Sequence, residues 1–113
     1  LATNADRASL SYIDHMLNLY AYFGKHMYCV EDVSGQGKPD PALYNHAAQQ
    51  LGVSPRECIV IEDSAPGVQA AVAAGAYCFG INTGNDADAL GEAHAVVDRY
   101  IEIDLQHLLD TQQ

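Results

Sequence analysis

The sequence predicts an α/β fold with a parallel sheet, and three neighbouring segments carry that expectation. "ECIVIE" (57–62) is a continuous apolar run bounded by turn formers, the pattern of a strand covered on both faces. "SAPGVQAAVAAG" (64–75) follows as an alanine-rich helix ended by Gly75, and "AYCFGI" (76–81) reads as a second apolar strand. A strand-helix-strand unit with a crossover of the usual length is expected to pair its strands in parallel through a right-handed connection.

The other elements follow in order. "LATN" (1–4) reads as the last residues of a strand already under way, so an N-terminal portion before Leu1 is expected. Leu10, Ile13, Leu17 and Tyr20 recur at helical spacing, which predicts an amphipathic helix over 7–20 with Asn4 or Asp6 as its cap and Gly24 ending the region. "MYCVEDV" (27–33) reads as a short strand, and "SGQGKPDP" (34–41), broken by two glycines and two prolines, as a loop. A second helix, "PALYNHAAQQLG" (41–52), has Asp40 as its cap, Pro41 in the first turn and Gly52 at its end. Beyond the central unit, "DADAL" (86–90) adds a helical turn, "AVVD" (95–98) a short edge strand and "DLQHLLD" (104–110) a final helix.

At 113 residues the chain suits one domain or one piece of a domain, and its 49% apolar content is that of a globular protein. Five Lys and Arg against 15 Asp and Glu give a charge of −10, which argues against nucleic acid or an anionic membrane as the main partner and is compatible with cation binding. No segment is long and apolar enough to span a bilayer and no signal peptide is evident, so a cytoplasmic setting is expected. Cys29, Cys58 and Cys78 lie in apolar stretches at no metal-like spacing, and read as buried free thiols of a reducing compartment. The histidines are scattered, with His26 before a strand and the rest read as surface or helix-face residues, and Tyr12, Tyr20, Tyr22, Tyr28 and Tyr44 read as core-edge aromatics.

In open parallel sheets ligands gather outside the carboxyl ends of the strands. Three sets of polar groups fall at such ends: Thr3 with Asn4 after the first strand, Lys38 in the loop after "MYCVEDV", and Glu62 with Asp63 after the central strand. Thr and Asn donate hydrogen bonds to phosphate oxygens, a lysine ammonium neutralises one, and paired carboxylates hold Mg²⁺ with water completing its shell. Taken singly each has an ordinary reading: Asp63 or Ser64 as a helix cap, Lys38 as surface charge. The ordered set points to a phosphate and magnesium site.

"LATN", "GKPDP" and "VIEDSAPGVQAAVAAG" resemble the second, third and fourth signature motifs of the haloacid dehalogenase superfamily, closest to its phosphatase and β-phosphoglucomutase-like branch. The resemblance implies a three-layer, Rossmann-like α/β core and phosphoryl transfer through an aspartyl-phosphate. It implies that Thr3 binds the transferring phosphoryl group with help from Asn4, and that Lys38 bridges that phosphate and the nucleophile. Mg²⁺ would be served by Asp63 as a direct ligand and by Glu62 either directly or through water. The substrates implied are small phosphorylated metabolites, sugar phosphates foremost.

The family's first motif, an Asp-x-Asp that supplies nucleophile and general acid-base, has no counterpart here. "DAD" (86–88) follows a glycine-containing turn late in the chain instead of a buried strand. The resemblance therefore implies that residues 1–113 are the C-terminal part of a core domain, without the central motif-one strand and the cap. Alone the chain is expected to be inactive, and to need its N-terminal part or to pair with another copy. A non-catalytic structural or oligomerisation role is the competing reading. A receiver-like signalling module is disfavoured because such modules place the acids early and the lysine late.

Overall fold

The computed structural model describes residues 1–84, 86–106 and 108. A three-stranded parallel sheet is built from β1 (Ile59–Glu62), β2 (Tyr77–Ile81) and β3 (Ala95–Val97), in that order, with β2 in the middle. Helices α1 (Arg7–Leu17), the short α2 (Tyr20–Phe23), α3 (Ala42–Leu51) and α4 (Ala65–Ala74) accompany it. This is the expected α/β architecture. In the β1-α4-β2 unit, Val60 pairs with Cys78 and Glu62 with Gly80.

The core lies between the sheet and α4. Val60, Val68, Ala71, Ala76, Cys78 and Leu90 pack together, with Tyr44 against them. Small side chains on α4 let the helix approach the strands closely. Ser64 opens α4 by accepting the Gly67 N–H, and Gly75 ends it at φ 93°, a left-handed conformation that favours glycine. "DADAL" forms a 3-10 turn over Ala87–Leu90, and Ala95–Val97 is a parallel edge strand, as expected. Of the final helix expected over 104–110, Leu105, Gln106 and Leu108 are helical, and residues 107, 109 and 110 lie outside the described residues.

Four expectations need correction. The first helix ends at Leu17, three residues early, because Asn18 turns left-handed at φ 53° and its N–H closes on the Asp14 carbonyl. Asp6, accepting from Ser9 N–H, is its cap. Residues 27–33 do not form a strand: Tyr28 makes one parallel bridge with Ala2, and Val30–Val33 curls into a 3-10 turn. The cause is Asp32, whose carboxylate accepts the Cys29 N–H and the Arg7 guanidinium while its own N–H donates to the Cys29 carbonyl, closing the turn. Third, β1 begins at Ile59 and is covered on one face only, for Ile59 and Ile61 are 38% and 43% exposed while Val60 and Glu62 are buried. β2, with Cys78, Phe79, Gly80 and Ile81 all buried, has the two-sided cover expected of β1. Finally, Cys58 is half-buried whereas Cys29 and Cys78 are buried; all three are free thiols.

Several histidines and tyrosines are also more engaged than the sequence suggested. His26 Nδ1 lies 2.6 Å from the buried Tyr28 hydroxyl, and the Tyr28 ring meets His46 edge-on. His94 Nδ1 accepts the Cys78 N–H and its ring stacks on Tyr77.

The Asp32 turn makes stability depend on acid. Its hydrogen bonds from the Cys29 backbone and the charge of Arg7 hold the Asp32 pKa below its ordinary 3.8. Its contribution is complete above that ordinary value and is lost as pH falls through the folded-state value. Asp32→Asn is expected to flatten the stability loss seen on acidification below about pH 4 in denaturant titrations. An unchanged acid slope would show that the turn does not depend on the ionised carboxylate.

Candidate functional site

The site is assembled from four segments distant in sequence. Leu1–Thr3 is held beside Tyr28 by Tyr28 N–H to Leu1 carbonyl and Thr3 N–H to Tyr28 carbonyl bonds, 2.8 and 3.0 Å long. Thr3 Oγ1 accepts the Ala5 N–H, which leaves its own hydroxyl proton available to donate. Asn4 turns toward the loop that carries Lys38. Its Oδ1 accepts the Lys38 N–H at 2.7 Å and its Nδ2 donates to the Lys38 carbonyl at 3.2 Å, bracketing the lysine main chain. That approach needs Gly37, where a Cβ would lie 2.8 Å from Asn4 Oδ1.

Lys38 then reaches inward. Its Nζ donates to the Ala2 carbonyl at 2.9 Å and to Glu62 Oε1 at 2.5 Å. Both side chains of this ion pair are nearly withdrawn from water, at 11% and 8% exposure. The Tyr44 hydroxyl, from α3, donates to the same Glu62 oxygen, and the lysine ammonium lies 5.0 Å from the Tyr44 ring centroid. Burial, the bond to Glu62 and the Glu62 charge all push the Tyr44 pKa up, so its hydroxyl keeps the proton it donates. Burial and then the same carboxylate push the Cys78 thiol up to about 11.

Asp63 behaves differently. Ser64, rather than Asp63, caps α4, and Asp63 stands exposed at the carboxyl end of β1. The helix-cap reading of the acidic pair therefore falls to the serine. As oxygen donors for a hard divalent cation the two acids are unequal: Asp63 is open, whereas Glu62 Oε1 is already held by Lys38 and Tyr44. No group of three or more His, Cys, Asp or Glu side chains placed to hold a metal is found among the described residues. Alongside, an open groove of about 880 Å³ runs past Ala2, Tyr44, Ile59, Ile61 and Glu62.

A family profile described as haloacid dehalogenase-like hydrolase matches residues 1–75, which include all five predicted site residues. The chain belongs to the haloacid dehalogenase-like hydrolases. Among curated relatives it is 42% identical over 78 residues to validoxylamine A 7'-phosphate phosphatase of Streptomyces hygroscopicus subsp. limoneus, covering 69% of this chain and 36% of that protein. It is 43% identical over 49 residues to β-phosphoglucomutase of Bacillus subtilis, covering 43% of this chain and 22% of that protein. A crystal structure of a HAD family hydrolase from Deinococcus radiodurans R1, with bound phosphate and sodium, superposes with a TM-score of 0.81 at 36% identity. The match covers 96% of this chain and 49% of that one. The chain thus spans about half of that structure, and less of the curated relatives.

In this haloacid dehalogenase-like hydrolase, sequence reasoning brought forward Thr3, Asn4, Lys38, Glu62 and Asp63 but passed over Tyr44, whose hydroxyl a count of aromatic residues cannot place. Gly67 was legible only as a motif letter. Here its role is steric, since a Cβ on Gly67 would sit 2.0 Å from Glu62 Oε2. Gly67→Ala gains up to about 1 kcal/mol of helix propensity. It also drives Glu62 off Lys38, and breaking a buried pair costs about 3 kcal/mol or more. The variant is expected to be less stable by about 2 kcal/mol in chemical denaturation; equal or higher stability would contradict the packing of Glu62 on Gly67.

Proposed function

We propose that this chain supplies the phosphate-binding lysine and the metal-binding acids of a Mg²⁺-dependent phosphoryl-transfer enzyme, a phosphatase or phosphomutase of small phosphorylated metabolites, sugar phosphates foremost. The observation that carries the reading is the meeting of Lys38 with Glu62 at 2.5 Å, beside the exposed Asp63. Lys38 and the acids lie in separate motifs of the sequence, and each stands where a parallel sheet gathers its ligands. The names of the relatives, a validoxylamine A 7'-phosphate phosphatase and a β-phosphoglucomutase, support the substrate class.

In this reading the Thr3 hydroxyl and the remaining N–H of Lys38 donate to phosphoryl oxygens, while Asn4 keeps the lysine loop in place. Asp63 would hold the metal directly and Glu62 through water. The bound cation would offset charge on the phosphoryl oxygens. The nucleophilic aspartate and its acid-base partner would come from a motif-one strand outside residues 1–113, with a cap domain selecting the substrate. The open edge of β1 and the groove beside it suit such a strand, supplied by an N-terminal part of the same protein or by another copy of the chain. A cytoplasmic setting accords with three free cysteines. Among the described residues no helix is long and apolar enough to cross a membrane.

The protein that carries this chain at full length is expected to hydrolyse a generic phosphomonoester, to lose that activity with a chelator and to regain it with Mg²⁺. Asp63→Ala and Lys38→Ala should each lower kcat/KM by about 100-fold or more, and residues 1–113 alone should be inactive. Undiminished hydrolysis by the Asp63 variant would refute the metal role.

A further inference from the structure

We propose that Tyr44 is a positioning residue: its hydroxyl fixes the Glu62 carboxylate and, through it, the Lys38 ammonium in the orientation that phosphoryl transfer requires. The inference rests on the reading of Lys38 as the phosphate-binding residue. Glu62 Oε1 accepts from two donors, Lys38 Nζ and the Tyr44 hydroxyl. On the other side the carboxylate is confined by Gly67, where there is no room for even a Cβ. The terminal torsion of a glutamate is broad and roughly two-fold, so one donor and one wall leave it able to swing. The second donor, on a helix, stops that movement.

The consequence falls on the lysine. An ammonium carries three N–H donors, and Lys38 directs two of them at the Ala2 carbonyl and Glu62 Oε1. The third has a fixed direction only while both acceptors are fixed. Ala2 is held by the backbone around Tyr28, and Glu62 is held by Tyr44. The Tyr44 ring adds a face 5.0 Å from Nζ that limits where the ammonium can go. Phenylalanine would keep the ring and remove the hydroxyl, which separates these two contributions.

The test uses Tyr44→Phe in the full-length protein, with two independent readouts. Reductive methylation of Lys38, followed by peptide mass spectrometry, should be about threefold faster or more in the variant, because a carboxylate freed from one donor releases the ammonium more often. Hydrolysis of the generic phosphomonoester should lose about tenfold in kcat with KM within about twofold. In a Glu62→Gln background the same substitution should change kcat by less than about twofold, since the tie it serves is already cut. Unchanged labelling, kcat within about twofold of the parent, or an equal loss in both backgrounds would each overturn the proposal. A lowered thermal midpoint with labelling and kcat unchanged would mark Tyr44 as merely structural and overturn it too. A parent protein without Mg²⁺-dependent hydrolysis would defeat the catalytic reading by itself, and the labelling rate would still decide whether Tyr44 holds Lys38.

Discussion

A lysine ammonium and a glutamate carboxylate 2.5 Å apart, both nearly withdrawn from water, govern the arrangement of this chain. At that distance and an effective dielectric of about 20 their attraction is on the order of 6 kcal/mol. Desolvation takes several kcal/mol from each ion, so the pair alone roughly breaks even. What makes it tenable are two further hydrogen bonds: one that the Lys38 ammonium donates to the Ala2 carbonyl, and one that Glu62 accepts from the Tyr44 hydroxyl. Those groups come from the first residues and from α3, while the pair itself joins a loop to the end of β1. One interaction thus fixes four segments whose positions no single stretch of sequence determines.

The sheet shows why that tie matters. β2 is paired on both edges and buried on both faces, whereas β1 has one bare edge and one bare face carrying Ile59 and Ile61. The Leu1–Thr3 segment bridges to Tyr28, and among the described residues no ladder joins it to β1. Lys38 spans the interval, with its main chain gripped by Asn4 and its ammonium touching both Ala2 and Glu62. Side-chain bonds here stand where backbone ladders would ordinarily hold two strands in register, and they leave the groove between them open.

The parts of the fold legible in the sequence were those set by local rules. The β1-α4-β2 unit, the Asp6 cap, the Gly52 and Gly75 helix ends and the 3-10 turn at Ala87–Leu90 follow from apolar runs, capping chemistry and glycine's tolerance of positive φ. What failed depended on partners remote in sequence. The run at 27–33 has strand composition, yet Asp32, with Arg7 across from it, closes a turn there. The run at 57–62 has the composition of a doubly covered strand, yet among the described residues the face of β1 that carries Ile59 and Ile61 stays partly exposed. The five candidate residues could be named because their motifs are contiguous. Tyr44 could not, because its role lies in a single oxygen atom that comes near Glu62 only when α3 and β1 are packed.

The two adjacent acids that end β1 are explained by the pleat of the strand. Successive side chains on a strand point to opposite faces, so Glu62 and Asp63 cannot share one environment. Glu62 continues the buried register of Val60 and must therefore be neutralised by the protein, which Lys38 does and Tyr44 reinforces. Asp63 falls on the outward register, is exposed, and is spared the capping of α4 by Ser64. One oxygen of the inward acid is thereby tied to a lysine and a tyrosine, and the outward acid faces solution. A chain with a charge of −10 that buries one of its five basic side chains against one of its acids, and leaves the next acid open, sets an internal ion pair beside a solvent-facing carboxylate within a single dipeptide.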